Sequence, residues 1–205
     1  MTYAIGVDLG GTKTAAGVVS AAGEVLFSET IPTLNRDGGG AILDATAALV
    51  SSLMSRAQAG GLDVAGVGVG SAGVIDTARG VVVSATDAIL GWAGTELTAG
   101  LAVRLGLDPA AVQAVNDVHA HALGEAWAGA AAGTASSLLV AFGTGVGGSF
   151  VLNGRPVLGN RYAGGHVGHF ASPYAYHRGK PLPCVCGGAG HVEAVASGPA
   201  VLQSY

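Results

Sequence analysis

The chain has 205 residues, half of them hydrophobic and only 5% aromatic, so it can bury a core, and that core must be built mainly from Val, Leu, Ile and Ala. Its nine Lys and Arg are scattered and the formal net charge is -4, which leaves no basic stripe for a nucleic-acid backbone. Glycine numbers 36, far above the usual ~7%, without a collagen period and with apolar residues between, which excludes disorder and points to tight turns and close backbone approaches.

Residues 3–9 predict a buried strand closed by Gly10-Gly11-Thr12 as a turn, with further strands over 15–20 and 25–33. No basic segment followed by an apolar run stands ahead of them, so no secretory leader is expected. The glycine-rich stretch 37–40 reads as a loop into a helix over 41–57, where Ile42, Ala45, Leu49 and Leu53 recur near helical spacing. VAGVGVG at 64–70 is the apolar run expected of a strand inside a parallel sheet. A helix over 96–105, a strand over 112–115, a helix over 118–130 and strands over 138–142 and 149–152 follow. The longest uncharged stretch, 126–154, is broken by glycines and does not read as a membrane span. Cys184 and Cys186 are too close together to staple a fold, and a reducing cytoplasm is the expected compartment.

Strands mixed with helices throughout predict an α/β fold. Residues 8–26 and 141–158 share a plan of strand, glycine turn, apolar strand and second turn. The echo predicts a duplicated β-hairpin core that presents two glycine loops to one ligand across a cleft.

The chemistry concentrates at four places. Asp8-Leu9-Gly10-Gly11-Thr12-Lys13 brings backbone N–H groups, a hydroxyl and a cation to one turn, a set suited to anionic oxygens, and Asp8 could hold Mg²⁺ through water. Gly143-Thr144-Gly145-Val146-Gly147-Gly148 offers similar chemistry; either loop alone also fits a plain hairpin turn, and neither is a Walker loop. Asn116-Asp117 stands where a strand gives way to a helix, so Asp117 is either a helix cap or a base aimed into the crevice beyond the strand end. His169, Cys184, Cys186 and His191 supply two ring nitrogens and two sulfurs, a tetrahedral set for Zn²⁺. His119 and His121 point different ways on their helix and are expected at the surface or an interface. His177, in YHRGK, is an alternative metal donor.

These motifs, in this order over the whole chain, resemble the ROK family of sugar kinases and repressors, which has an actin-like ATPase fold. DLGGTKT matches its first phosphate motif, GVGSAGVID (68–76) its GxGxPGxVD segment with Ala72 for proline, and VNDVHAHALGE (115–125) its catalytic helix start. FGTGVGGSFVLNGRPVLG (142–159) matches its second phosphate motif, and GHVGH with CVCGGAGHVEAVASG (184–198) its sugar and zinc region. The resemblance implies two lobes, 1–115 and 116–205, around a nucleotide and sugar cleft. It implies Asp117 as catalytic base and sugar contacts from Gly73, Asn116, Asp117, His166, His169 and Glu193. Phosphate contacts are implied for Asp8, Gly10, Gly11, Thr12, Lys13, Gly143, Thr144 and Gly145, with ATP, Mg²⁺ and a structural Zn²⁺ as cofactors. Where the family carries a third zinc cysteine this chain has His191, and where it carries glutamate this chain has His166. Asp87 stands in the loop where the family has a sugar-contacting Asn.

The implied activity is ATP-dependent phosphorylation of a hexose or N-acylhexosamine at its 6-hydroxyl, with N-acetylmannosamine the first choice. The alternatives are a glucokinase and a non-catalytic sugar-sensing regulator; repressors carry a helix-turn-helix ahead of the first motif, for which no room is expected here. The expected partners are a sugar and ATP, with homodimerisation and without nucleic acid or membrane. The family pattern extends past SGPAVLQSY, so a C-terminal truncation is expected.

Overall fold

The structure is a computed structural model that describes residues 2–204. Strands β1 (Thr2–Leu9), β2 (Lys13–Ser20) and β3 (Val25–Pro32) form a meander, and helix α1 (Gly38–Ala59) then leads to β4 (Asp63–Ser71). A small ribbon of β5 (Val74–Asp76) and β6 (Val81–Ser84) precedes α2 (Leu97–Leu105), β7 (Val112–Asn116) and α3 (Asp117–Ala128). A second sheet holds β8 (Ser136–Phe142), β9 (Val146–Leu152) and β10 (Arg155–Pro156). After it come the two-residue strands β11 (Tyr176–His177) and β12 (Lys180–Pro181) and the short helices α4 (Glu193–Ala196) and α5 (Gly198–Gln203).

The first sheet has the order β3-β2-β1-β4-β7. β1 pairs with β2 antiparallel but with β4 parallel, and β4 with β7 parallel, so β1, β4 and β7 all finish at one edge. The register sets Leu9 beside Ser71 and Ser71 beside Asn116. In an open α/β sheet the carboxyl ends of parallel strands border the ligand crevice, and here that edge receives the residues that follow Asp8, Ser71 and Asn116.

Alternation along these strands sends Ile5, Val7, Leu9, Val67 and Val69 to one face, where α1 and α2 cover them with Leu49, Leu53, Leu97 and Leu101. Each such fully buried aliphatic side chain contributes about 1.5–3 kcal/mol of transfer free energy. The opposite face is built from Gly6, Gly17, Gly68 and Gly70, and α3 crosses it over a cavity of about 1310 Å³ that reaches Leu123 and Trp127. The second sheet is half covered. β8 half-buries alternate residues and β9 buries Val146, Gly148, Ser149 and Val151, while Leu138, Val140, Phe142, Phe150 and Leu152 stay exposed.

Two expectations change. Gly38, Gly39 and Gly40 form the first turn of α1 rather than a loop, because the packing of Ile42, Leu43 and Thr46 outweighs glycine's poor helix propensity. His119 is not at the surface: it is 1% exposed, enclosed where α3 meets the turn at Gly164. His121 is exposed as expected.

The glycine face is what lets α3 approach. A Cβ on Gly70 would lie 2.9 Å from Ala120 Cβ and 3.5 Å from Asp117 Cα, whereas one on Gly68 would meet nothing within 4 Å. Gly70→Ala should therefore destabilise the chain by about 1–3 kcal/mol in urea unfolding, the usual cost of overpacking. Gly68→Ala should change stability little, and equal effects at both positions would contradict this packing.

Candidate active site and metal centre

Asn116 is the last residue of β7 and the N-cap of α3, and its side chain is 6% exposed. Its Oδ1 accepts from the N–H groups of Val118 (3.0 Å) and His119 (3.3 Å), which closes the first turn of the helix. Its Nδ2 donates to the Gly73 carbonyl (2.9 Å) and to Asp117 Oδ1 (2.7 Å). Both amide hydrogens are thus engaged within the protein. Gly73 adopts φ +99°, and a Cβ there would stand 2.8 Å from the Ser84 carbonyl oxygen, so glycine is required to aim its carbonyl at Asn116.

Asp117 Oδ1 also accepts from the Val118 N–H (2.9 Å), and among the described residues Oδ2 has no hydrogen-bond partner. Burial pushes the Asp117 carboxyl above its ordinary value, and the negative charge of Asp8 adds to the rise, against the lowering hydrogen bonds of Val118 and Asn116. Asp117 is therefore both a residue of the first helical turn and a carboxylate with one oxygen free and a raised proton affinity.

The first glycine turn is braced from behind. Gly10 N–H donates to the Lys13 carbonyl, the Thr33 hydroxyl donates to the Gly10 carbonyl (2.8 Å), and Asn35 Nδ2 donates to the Gly11 carbonyl (2.7 Å) and the Ala88 carbonyl (3.2 Å). Asp8, Thr12 and Lys13 are exposed. Thr33 and Asn35 went unread in the sequence because their partners lie 23 and 24 residues away; the only local signal was two small polar residues directly after a strand. Asp87 is exposed beside Ala88.

The second glycine loop is shorter than its sequence implied. Val146, Gly147 and Gly148 already belong to β9, so the turn is Gly143-Thr144-Gly145. It is clamped by the Gly198 N–H on the Gly143 carbonyl (2.8 Å) and by buried Glu193, whose Oε2 accepts from the Val146 N–H (2.8 Å). One Glu193 oxygen is thus committed to this turn, while Oε1 faces Cys184 Sγ at 3.9 Å.

GGHVGH forms a turn followed by a 3₁₀ segment, Val167–His169. The rings of His166 and His169 lie 6.3 Å apart, and those of His169 and His191 5.6 Å. Burial holds the half-buried His166 imidazole below its ordinary pKa, with His119 and His169 adding to the fall, so the ring is neutral near pH 7. His169, Cys184, Cys186 and His191 converge so that their ligand atoms all lie within 4.8 Å of one another. His169 Nδ1 stands 3.7 Å from Cys184 Sγ, and His191 Nδ1 3.3 Å from Cys186 Sγ. Zn–S near 2.3 Å and Zn–N near 2.0–2.1 Å in a tetrahedron require donor separations of about 3.3–3.8 Å. These two pairs fall in that range, and the whole set lies within 4.8 Å, so its two sulfurs and two ring nitrogens are a donor set of zinc type. His177 is not part of the convergent set.

The sheet edge thus gathers Gly73, Asn116 and Asp117, while the second sheet and its loops gather His166, His169 and Glu193 beside the cysteines. No helix among the described residues is long and apolar enough to cross a membrane.

Residues 4–205 match the model of the ROK family. A glucokinase of Halalkalibacterium halodurans is 34% identical over 97% of this chain and 58% of its own length. An N-acetyl-D-glucosamine kinase of Escherichia coli O6:H1 is 34% identical over 94% of the chain and 62% of its own. Among solved structures, a ROK family glucokinase from Streptomyces griseus in complex with glucose and AMPPNP superposes with a TM-score of 0.81 at 33% identity, covering 98% of this chain and 59% of that one. The chain spans about three fifths of the length of these relatives. Family match, relatives and superposition agree with the motifs and the geometry: the chain belongs to the ROK family and has its actin-like α/β fold.

Proposed function

We propose that the chain carries the acceptor-activating and phosphate-holding parts of an ATP-dependent sugar kinase, which phosphorylates a hexose or N-acylhexosamine at its terminal hydroxyl. The observation that carries this reading is Asp117 at the β7–α3 junction, with Oδ1 held by Asn116 and Val118 and Oδ2 free. Its raised proton affinity suits a base that takes the proton of the attacking hydroxyl. Phosphoryl transfer asks a protein mainly for positioning, charge neutralisation and such a base. Asn116 then serves chiefly to aim Asp117. The turns at Gly10, Gly11 and Thr12 and at Gly143, Thr144 and Gly145 would hold phosphate oxygens, with Lys13 adding charge. Asp8 would hold Mg²⁺, which neutralises phosphate charge when bound. The two lobes, 1–115 and 116–205, meet at this junction in the proposed arrangement, and a homodimer is its proposed assembly.

His166, His169 and Glu193 would face the sugar. A neutral imidazole offers one acceptor and one donor, where the family's glutamate would accept from two vicinal hydroxyls. That exchange favours a sugar with its own acceptor near carbon 2, an N-acyl group, and N-acetylmannosamine is the first choice. Glucose is the second reading, favoured by the glucokinase relatives and the retained Glu193. A structural zinc would sit on His169 Nδ1, Cys184, Cys186 and His191, fixing the loop that carries His169.

Asp117→Asn keeps the Oδ1 acceptor and removes the charge, so it should fold while losing ATP-coupled turnover by at least about a hundredfold, the scale of a lost general base; turnover within a few-fold of wild type would end the assignment. Its stability has a definite sign. The folded-state pKa of Asp117 is raised, so its stabilising contribution is present below the unfolded pKa and lost as pH rises through the folded one. Asp117→Asn escapes that loss and should melt at or above wild type at pH 7, with the gap closing toward pH 4.

Turnover compared on N-acetylmannosamine, N-acetylglucosamine and glucose should favour an N-acyl sugar in the wild type and move toward glucose in His166→Glu. Unchanged preference would remove His166 from selection. Metal analysis after purification without chelator should find about one zinc per chain, and Cys186→Ser should lower both the zinc content and the melting temperature.

A further inference from the structure

His119 is buried, titratable and outside the site described so far. It is the third residue of α3, two positions after Asp117, and is 1% exposed. Its Nε2 lies 2.9 Å from the carbonyl oxygen of Gly164. A carbonyl only accepts, so the ring carries its proton on Nε2 and donates it there. The Gly164 turn is pinned on its other side as well. Gly164 N–H donates to the Leu158 carbonyl (2.7 Å), and Gly165, at φ +81°, lies where a Cβ would come 2.7 Å from the Gly148 carbonyl oxygen of β9. The turn is therefore squeezed between β9 and α3, with His119 as its side-chain hydrogen bond to the helix.

His166 follows Gly164 by two residues, and its ring centroid is 6.4 Å from that of His119, tilted by 36°. One imidazole thus holds the turn through its nitrogen and lies, centroid to centroid, 6.4 Å from the half-buried His166 ring. Its own backbone N–H is held by Asn116 Oδ1, the side chain that also holds Asp117. Any shift of the turn relative to α3 must strain the Nε2–Gly164 hydrogen bond and change the spacing of the two rings.

We propose that His119 is a positioning residue that sets the spacing between Asp117 and the His166 turn, and through it the affinity for the acceptor sugar. The consequence for affinity rests on the reading of Asp117 and His166 given above; the hold on the turn does not.

Three substitutions test it. His119→Gln places an amide nitrogen near the Nε2 position and can still donate to Gly164. His119→Asn, whose amide falls short, and His119→Leu, which fills the space without a donor, cannot. Hydrogen exchange of amides 163–169 in the sugar-free chain should quicken by about tenfold in Asn and Leu and return to within about threefold of wild type in Gln. In kinase assays the KM for sugar should rise by about tenfold in Asn and Leu with the KM for ATP unchanged, and Gln should restore it. Unchanged exchange in the Asn variant, failure of Gln to rescue, or parallel rises in both KM values would each overturn the proposal. If Leu fails to fold, the Gln and Asn pair decides. A wild-type chain inactive on every sugar would defeat the kinase reading, while the exchange measurement would still decide whether His119 holds the turn.

Discussion

The site depends on the Asn116 side chain, which satisfies four partners at the junction of a strand and a helix. Two are helix N–H groups that lack intrahelical acceptors, one is the Gly73 carbonyl, and one is the carboxylate of Asp117. Removing an interior partner of this kind leaves polar groups unsatisfied at about 1–3 kcal/mol each, so the arrangement is stiff. It fixes where α3 begins, and with that the direction of Asp117 and the depth at which His119 enters the interior. A serine or threonine could cap the helix equally well. Neither hydroxyl could also donate to two acceptors, which is what a primary amide adds here.

Stiffness at the junction would be lost if α3 could slide, and glycines on both sides prevent that. Gly70 of β4 lies beneath Ala120, and Gly147 of β9 lies where a Cβ would come 2.7 Å from Val118 Cγ2. The helix is therefore gripped between the two sheets at its first turn, backbone against side chain, with no intervening atoms to deform. Gly168 extends the contact, since a Cβ there would collide with the Val146 carbonyl. The high glycine content has its explanation in these approaches as much as in turns.

The parts legible in the sequence were those written locally. Apolar runs gave the strands of the parallel core, and Asn-Asp after VQAV marked the carboxyl end of β7. The spacing of Cys184, Cys186 and His191, with His169 upstream, anticipated a convergence that the structure shows. What escaped was set at a distance. Thr33 and Asn35 brace the first glycine turn across more than twenty residues, and nothing in TLNR distinguishes them from ordinary loop residues. His119 was expected at the surface or an interface because it and His121 point different ways on their helix, and its partner lies in a turn 45 residues later that nothing local announces. The start of α1 at Gly38 likewise reflects packing of the following turn rather than local propensity.

The electrostatics divide the site into two halves of different character. At the first glycine turn Asp8 and Lys13 are exposed charges, suited to phosphate and a divalent cation that remain partly hydrated. Across the crevice the rings of His119, His166, His169 and His191 follow one another at 6.4, 6.3 and 5.6 Å. Burial keeps the His166 ring uncharged, and a metal on His169 Nδ1 would require that ring to be neutral as well. A ligand beside the His166 ring would meet a directional donor and acceptor there rather than a fixed positive charge. The Asp117 carboxyl has a different neighbour: burial and the negative charge of Asp8 both raise its proton affinity, so a cation held by Asp8 would lower it again. The raised carboxyl and the lowered imidazole thus share their largest cause, since burial disfavours the charged form of both Asp117 and His166.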